Sequence, residues 1–364
     1  MNQKGSVDWL LFLSTSILVL FGFIMVYSAS FPEGYYYFRG DGFFFLRKQV
    51  MAGLAGMAAL IIASFIDYRI YRKLNKLMFV LAILATVLLF TAYGTEAYGA
   101  VRWIDIGGLN IQPSDIIKIA AVMYVAYYLE KNAQRIRTFK KGYVPIAVLI
   151  FFFCGTIALQ RDLSTTFVLA MTLGVMYFCA GANLLHIAMT AFMAISVTSY
   201  LIINESYRMV RVISFTDPFR YRSTYGYQVV QSLLALGTGG LFGMGLGQSR
   251  QKFFYIPLAY NDFIFAVIGE ELGFVGAFGV ILFFVVLVWR GLRIAINASD
   301  LFGTFLAMGI TCLIGIQAAV HIAVVSSSMP PTGIVLPFIS AGGTSLLINM
   351  ASIGVLLNIS KNSV

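Results

Sequence analysis

Ten apolar runs divide this chain, at 9–28, 45–66, 74–93, 114–129, 143–159, 163–181, 184–203, 262–289, 302–325 and 339–359. Most approach the ~20 residues that a helix needs to cross a ~30 Å hydrocarbon core. Of its 364 residues 60% are hydrophobic and only 11% charged, where a soluble domain carries roughly 25%. That excludes an ordinary soluble enzyme. The pattern predicts an all-α polytopic membrane protein with ten transmembrane helices, forming one unit over 1–364, with a long, partly re-entrant extracytoplasmic loop at 204–261 between helices seven and eight.

An even number of spans puts both termini on one side, and the charges say which. Arg69, Arg72, Lys73 and Lys76 lie between spans two and three, Lys131, Arg135, Arg137, Lys140 and Lys141 between four and five, and Arg290 and Arg293 between eight and nine. By the positive-inside rule these connections, and the termini with Lys4 and Lys361, are cytoplasmic. The first apolar run is followed by Ser28-Ala29-Ser30, a weak imitation of a cleavage site. Its length and the nine later spans favour an uncleaved first helix.

The net charge of +10 suggests anionic lipid before nucleic acid in such a chain. Part of it lies on the outer side: the 204–261 segment holds Arg208, Arg211, Arg220, Arg222, Arg250 and Lys252 against Glu205, Asp217 and, at its end, Asp262. Six basic residues outside the membrane need a reason, and an anionic ligand is one. The glycine-rich run at 237–247 follows no strand pattern, so a dinucleotide site is disfavoured. Irregular backbone at membrane depth has to be satisfied by protein or by a watered cavity. The lone cysteines Cys154, Cys179 and Cys312 read as packing residues, and His186 and His321 are too few for a His-based metal site.

Ionisable residues at span edges are costly and therefore informative. Asp115 and Lys118 are i, i+3 on span four and can pair on one face, with Ser114 as the expected N-cap. Asp162 starts span six and either caps it or points into a cavity. Glu270 and Glu271 cannot share a helix face, so at least one is expected to bind a backbone group or a basic partner. His321 is either a hydrogen-bonded core residue or lines the cavity. Asp262 follows the basic segment and precedes Phe263-Ile264-Phe265-Ala266. It is either a cap or a carboxylate placed to accept a proton beside an anionic substrate.

The motifs that carry these residues resemble the FtsW/RodA/SpoVE family of peptidoglycan glycosyltransferases over nearly the whole chain. They are Tyr98-Gly99-Ala100-Val101-Arg102-Trp103-Ile104, Gln112-Pro113-Ser114-Asp115 with Lys118, Gly226-Tyr227-Gln228-Val229-Val230-Gln231-Ser232, Asp262-Phe263-Ile264-Phe265-Ala266 with Gly269-Glu270-Glu271-Leu272-Gly273, and Pro331-Thr332-Gly333 through Ser340. The 237–254 stretch looks most like the division and sporulation branch.

The resemblance implies a ten-helix fold with an outward-facing cavity in the bacterial plasma membrane. It implies lipid II as substrate, polymerised by inverting transfer that releases undecaprenyl pyrophosphate. Asp262 becomes the catalytic general base, acting on the acceptor 4-hydroxyl, and Arg102, Arg208, Arg211 and Lys48 neutralise the pyrophosphate. Asp115, Lys118, Asp162, Gln228, Gln231, Lys252 and Ser340 join them as substrate-binding residues. No metal ligand is assigned, although a divalent cation (Mg or Mn) could share the task. The implied partner is a class B penicillin-binding protein transpeptidase.

The chain also departs from the family pattern. The usual Pro-Glu-x-His-Thr-Asp reads Pro257-Leu258-Ala259-Tyr260-Asn261-Asp262, the usual Glu of Gln-Pro-Ser-Glu is Asp115, and His321 stands where Asn is common. Lys48 replaces a frequent Arg, Gln-Pro-Asp reads Gln160-Arg161-Asp162, and Ser-Tyr-Gly-Gly-Ser reads Ser340-Ala341-Gly342-Gly343-Thr344. Losing the acid next to the proposed base changes the charge that tunes it. A lipid II flippase and a catalytically impaired scaffold for the transpeptidase therefore stay open beside the polymerase.

Overall fold

A computed structural model describes residues 6–91, 94–97, 100–106 and 109–363. Each expected interval meets a long helix: α1 (Trp9–Tyr37), α2 (Phe44–Phe65), α3 (Arg69–Leu89), then α4 (Pro113–Lys131), α5 (Val144–Ala158), α6 (Leu163–Cys179) and α7 (Leu184–Ile203). After the shorter α8 (Ser206–Thr216) and α9 (Tyr227–Gly239) come α10 (Ile264–Ile296), α11 (Leu301–Val325) and α12 (Gly343–Lys361). By length and composition seven spans among the described residues can cross a membrane. The others explain themselves: α6 has only 17 residues, α3 opens with Arg69, Arg72, Lys73 and Lys76, and α4 carries Asp115, Lys118 and Glu130.

One detail corrects the sequence reading and another adds to it. Helix α4 starts at Pro113, with Gln112 in the cap position, because proline's fixed φ suits the first helical residue and its missing N–H is not needed there. Ser114 therefore lies inside the first turn, where its hydroxyl is buried without a partner. The helical fold also carries one small sheet that the sequence reading did not include. Strands β1 (Gly94–Ala97), β2 (Ala100–Ile106) and β3 (Leu109–Ile111) form an antiparallel meander between α3 and α4, with Thr95 opposite Trp103 and Asp105 opposite Asn110. The β1–β2 register slips between Thr95 and Glu96, which leaves Arg102 without a partner on β1, an irregularity that re-aims a side chain, while Ile104 beside it is buried.

Helices α11 and α12 form the centre: 67% and 72% of their spans are buried inside the protein, against 6% for α7. Helix α12 lies along α2, while α10 packs against α1, α9 and α11. The interval 262–289, read as one span, is in fact a helix broken at Gly273, whose φ is +66°. The glycine-rich run after α9 repairs the break. Met244 and Gly245 donate amides to the Glu270 and Glu271 carbonyls at 2.9 and 3.0 Å, and Phe274 and Val275 donate to Gly240 and Leu241 at 2.8 and 3.1 Å. Such an approach needs glycine: a Cβ at Gly243 would collide with the Glu271 carbonyl, and one at Gly273 with the Gly243 amide.

Candidate active site

Asp262 stands at the junction of two irregular segments, 256–263 before α10 and 331–341 before α12. The cap position of α10 is Phe263, which makes no capping bond. Asp262 therefore lies one residue outside the helix, and its amide donates to the Leu258 carbonyl at 3.3 Å. Its carboxyl abuts Gly333, where a Cβ would come within 3.1 Å of Oδ2. Burial pushes the Asp262 carboxyl up to about 6, the charges of Arg102 and Arg211 work against that rise, and Asp162 adds to it.

Three elements converge on that carboxyl. The guanidinium of Arg102 reaches from β2 to the turn before α6, donating from Nη2 to the Arg161 carbonyl at 2.8 Å. Its Nε is buried without a hydrogen-bond partner, so a donor beside the carboxylates is left for a ligand. Arg211 extends from α8 and donates to the Pro331 carbonyl at 3.3 Å. Asp162 caps α6, accepting from the Thr165 amide at 3.0 Å and its hydroxyl at 2.8 Å. The capping reading of this residue is the one seen, and the same carboxylate lies within electrostatic range of Asp262.

Behind the site a polar chain crosses the bundle. Lys118 Nζ pairs with Asp115 Oδ1 at 2.8 Å and donates to Gln317 Oε1 at 3.0 Å, and Gln317 Nε2 donates to the Val335 carbonyl at 3.0 Å. His321 Nδ1 lies 2.6 Å from the Ile334 carbonyl. A carbonyl only accepts, so Nδ1 carries the proton. Arg211, His321 and Gln317 thus fix the carbonyls of residues 331, 334 and 335, flanking the Gly333 that abuts Asp262. On the other flank the Ser340 hydroxyl donates to the Asn261 carbonyl at 2.7 Å and accepts the Leu336 amide at 2.8 Å. Ser340 therefore ties the two irregular segments together.

Other expected site residues lie elsewhere. Lys252 is 4% exposed, and its ammonium pairs with Glu271 at 2.8 Å while donating to Ser28 and the Gly247 carbonyl. Its charge is spent inside the protein, because a cation buried at that depth needs a paired carboxylate. Glu270 accepts the Ser249 hydroxyl and the Arg250 amide, so both glutamates hold the glycine-rich run in place. Lys48 is exposed on α2, its ammonium 4.4 Å over the Phe44 ring. Gln228 and Gln231 are half-buried on α9. The Arg208 side chain and residues 98–99 lie outside the described residues.

Sequence reasoning missed Gln49, which donates to the Ser340 carbonyl at 3.0 Å and accepts the Gly342 amide at 3.2 Å. It also missed Gln317. Neither is ionisable, so a search for charges at span edges passes over both.

The family model of the FtsW/RodA/SpoVE cell cycle proteins matches residues 8–364. The chain belongs to this family. It is 42% identical to stage V sporulation protein E of Bacillus subtilis over 363 residues, covering 100% of this chain and 99% of that one. It is 40% identical to the probable peptidoglycan glycosyltransferase FtsW of Geobacter sp. (strain M18), covering 99% and 98%. Among solved structures, a chain described under "Structural coordination of polymerization and crosslinking by a peptidoglycan synthase complex" superposes with a TM-score of 0.81 at 25% identity, over 97% of each chain. Family membership and the apolar helices make this FtsW/RodA/SpoVE protein a multi-pass membrane protein.

Proposed function

We propose that this chain is a peptidoglycan glycosyltransferase that polymerises lipid II into β-1,4-linked glycan in septal or spore cell-wall synthesis. The observation that carries the reading is a half-buried aspartate, held near a pKa of about 6, that faces two arginines outside the membrane-spanning helices. A base with its pKa near the working pH combines basicity with the right protonation state.

Asp262 takes the proton of the acceptor 4-hydroxyl as that oxygen attacks the anomeric carbon of the donor. The new glycosidic C–O bond forms on the face opposite the breaking C–O bond, whose electron pair leaves on undecaprenyl pyrophosphate. Inversion of an α-linked donor gives the β bond in one displacement. Arg102, with its unpaired Nε, and Arg211 meet the charge that develops on the leaving group. A resident divalent cation fits poorly. The groups facing Asp262 are two guanidiniums and one carboxylate already engaged in capping, and no cluster of three His, Cys, Asp or Glu exists among the described residues. No step is routed through a metal.

Ten crossings with both termini cytoplasmic and the Asp262 site facing outward follow from the basic connections at 69–76, 131–141 and 290–293. A class B penicillin-binding protein is the partner in this reading. Its support is the similarity to a synthase complex that couples polymerization to crosslinking.

The test is incubation of purified protein with lipid II, with and without a cognate transpeptidase, comparing wild type with Asp262→Ala. Glycan from the wild type and none from the variant is expected. Undiminished polymer from Asp262→Ala would remove the base assignment. No polymer from either protein, with or without the transpeptidase, would point to the scaffold or the flippase, which a lipid translocation assay in vesicles separates.

A further inference from the structure

The loop that presents Asp262 lacks the acid its family usually carries at 258, where this chain has Leu258. Leu258 nonetheless adopts φ +52°, a left-handed conformation that bulky side chains rarely hold and that persists only where its surroundings enforce it. Its carbonyl accepts the amides of Asn261 at 3.0 Å and Asp262 at 3.3 Å. The backbone position of Asp262 thus depends on Leu258 staying in that strained state.

An acidic side chain from another helix meets this turn. Glu33, one turn before the end of α1, has the Leu258 amide and the Tyr260 hydroxyl as the hydrogen-bonding neighbours of its carboxylate. Tyr260 is anchored independently: its carbonyl accepts the Ala341 amide at 3.0 Å, and its ring lies 4.4 Å from that of Phe45 on α2. We propose that Glu33 is a positioning residue for Asp262, an acid supplied from α1 that clamps the strained Leu258 turn and thereby aims the base. A charge-assisted acceptor suits this task because it binds both donors at once and more strongly than a neutral one.

This inference rests on the reading of Asp262 as the base, and the experiment separates the two. Lipid II polymerisation is measured for wild type, Asp262→Ala, Glu33→Ala, Glu33→Ala with Leu258→Gly, and Tyr260→Phe. Glu33→Ala is expected to lose about tenfold to a hundredfold in kcat, the scale of a misplacement of about 1 Å, with KM for lipid II changed less than about threefold. Adding Leu258→Gly is expected to restore much of that loss, because glycine holds positive φ without a clamp.

A loss through poorer folding would lower the active fraction and the thermal midpoint, and the glycine would not repair it, which overturns the proposal. If Glu33→Ala cannot be purified folded, Tyr260→Phe decides: it removes one of the two clamped donors and is expected to lower kcat severalfold at unchanged KM. Wild-type kcat in Glu33→Ala, or in Tyr260→Phe where that variant decides, with Asp262→Ala inactive, overturns the role of Glu33 alone. Activity in Asp262→Ala overturns the base reading beneath it.

Discussion

At the scale of a residue, the proposed role of Asp262 as base sets stability against chemistry. Its carboxyl titrates near 6 in the folded protein because burial outweighs the arginines, against about 3.9 in an unfolded chain. Two outcomes follow. The kcat/KM for lipid II is expected to rise with pH to a plateau above about pH 6 and to fall about tenfold per unit below it, with the acid limb absent from the residual rate of Asp262→Asn. The stability effect has the opposite sign. A carboxyl whose folded pKa is raised is easier to keep protonated, so ionising it destabilises the fold above about pH 6, and the cost fades as pH falls towards 4. Asp262→Asn is expected to be more stable than wild type at pH 7.5 by on the order of 2 kcal/mol. Thermal unfolding in detergent at pH 7.5 and 4.5 checks this, and an equal gain at both pH values would contradict it.

At the scale of an element, α10 is decided by its break. A helix opened at Gly273 leaves amides and carbonyls that hydrocarbon cannot satisfy, and the glycine-rich run supplies partners for them. That run is pinned by Glu270 and by the Lys252–Glu271 pair, whose side chains are 4% and 0% exposed. Removing one member of a buried pair leaves the other uncompensated, at a cost of about 3–5 kcal/mol. Lys252→Met is therefore expected to lower the thermal midpoint sharply, while Lys252→Met with Glu271→Gln recovers part of the loss. A Lys252→Met protein of unchanged stability but impaired lipid II binding would return Lys252 to the substrate-binding set. The sequence signals here were partly legible. Two adjacent glutamates inside an apolar run announce buried partners, but nothing in the linear order says that the partner of Glu271 is a lysine 19 residues earlier.

At the scale of the whole molecule, the basic connections carry the proposed orientation and the central helices set the core. Single cysteines placed in a background lacking Cys154, Cys179 and Cys312 are expected to react with a membrane-impermeant thiol reagent from outside at Tyr36 and Arg222, and only after permeabilisation at Lys140 and Asn297. Labelling of Lys140 in intact cells would invert the topology. The small sheet was not foreseen, because its strands are short and their pairing depends on turns rather than on a long alternating pattern. It matters because it carries Arg102 over the membrane-spanning bundle to the turn before α6.

The sequence by itself determined the membrane class, the intervals that the long helices occupy and the connections in which basic charge accumulates, and it singled out Asp262, Arg102 and Arg211 as candidates. Each of these is written locally, in the length of apolar runs, the placement of Lys and Arg, or a short motif. Only the tertiary structure decided which of the outer cations face Asp262. Lys252 and Arg211 belong to the same basic segment, yet one is consumed by a buried glutamate and the other reaches the site from α8. The same holds for Glu33 and Gln317, whose partners lie 225 and 18 residues away in the chain. Ion pairing and hydrogen bonding depend on distance through space, and spacing along a chain fixes that distance only within a single helix or strand.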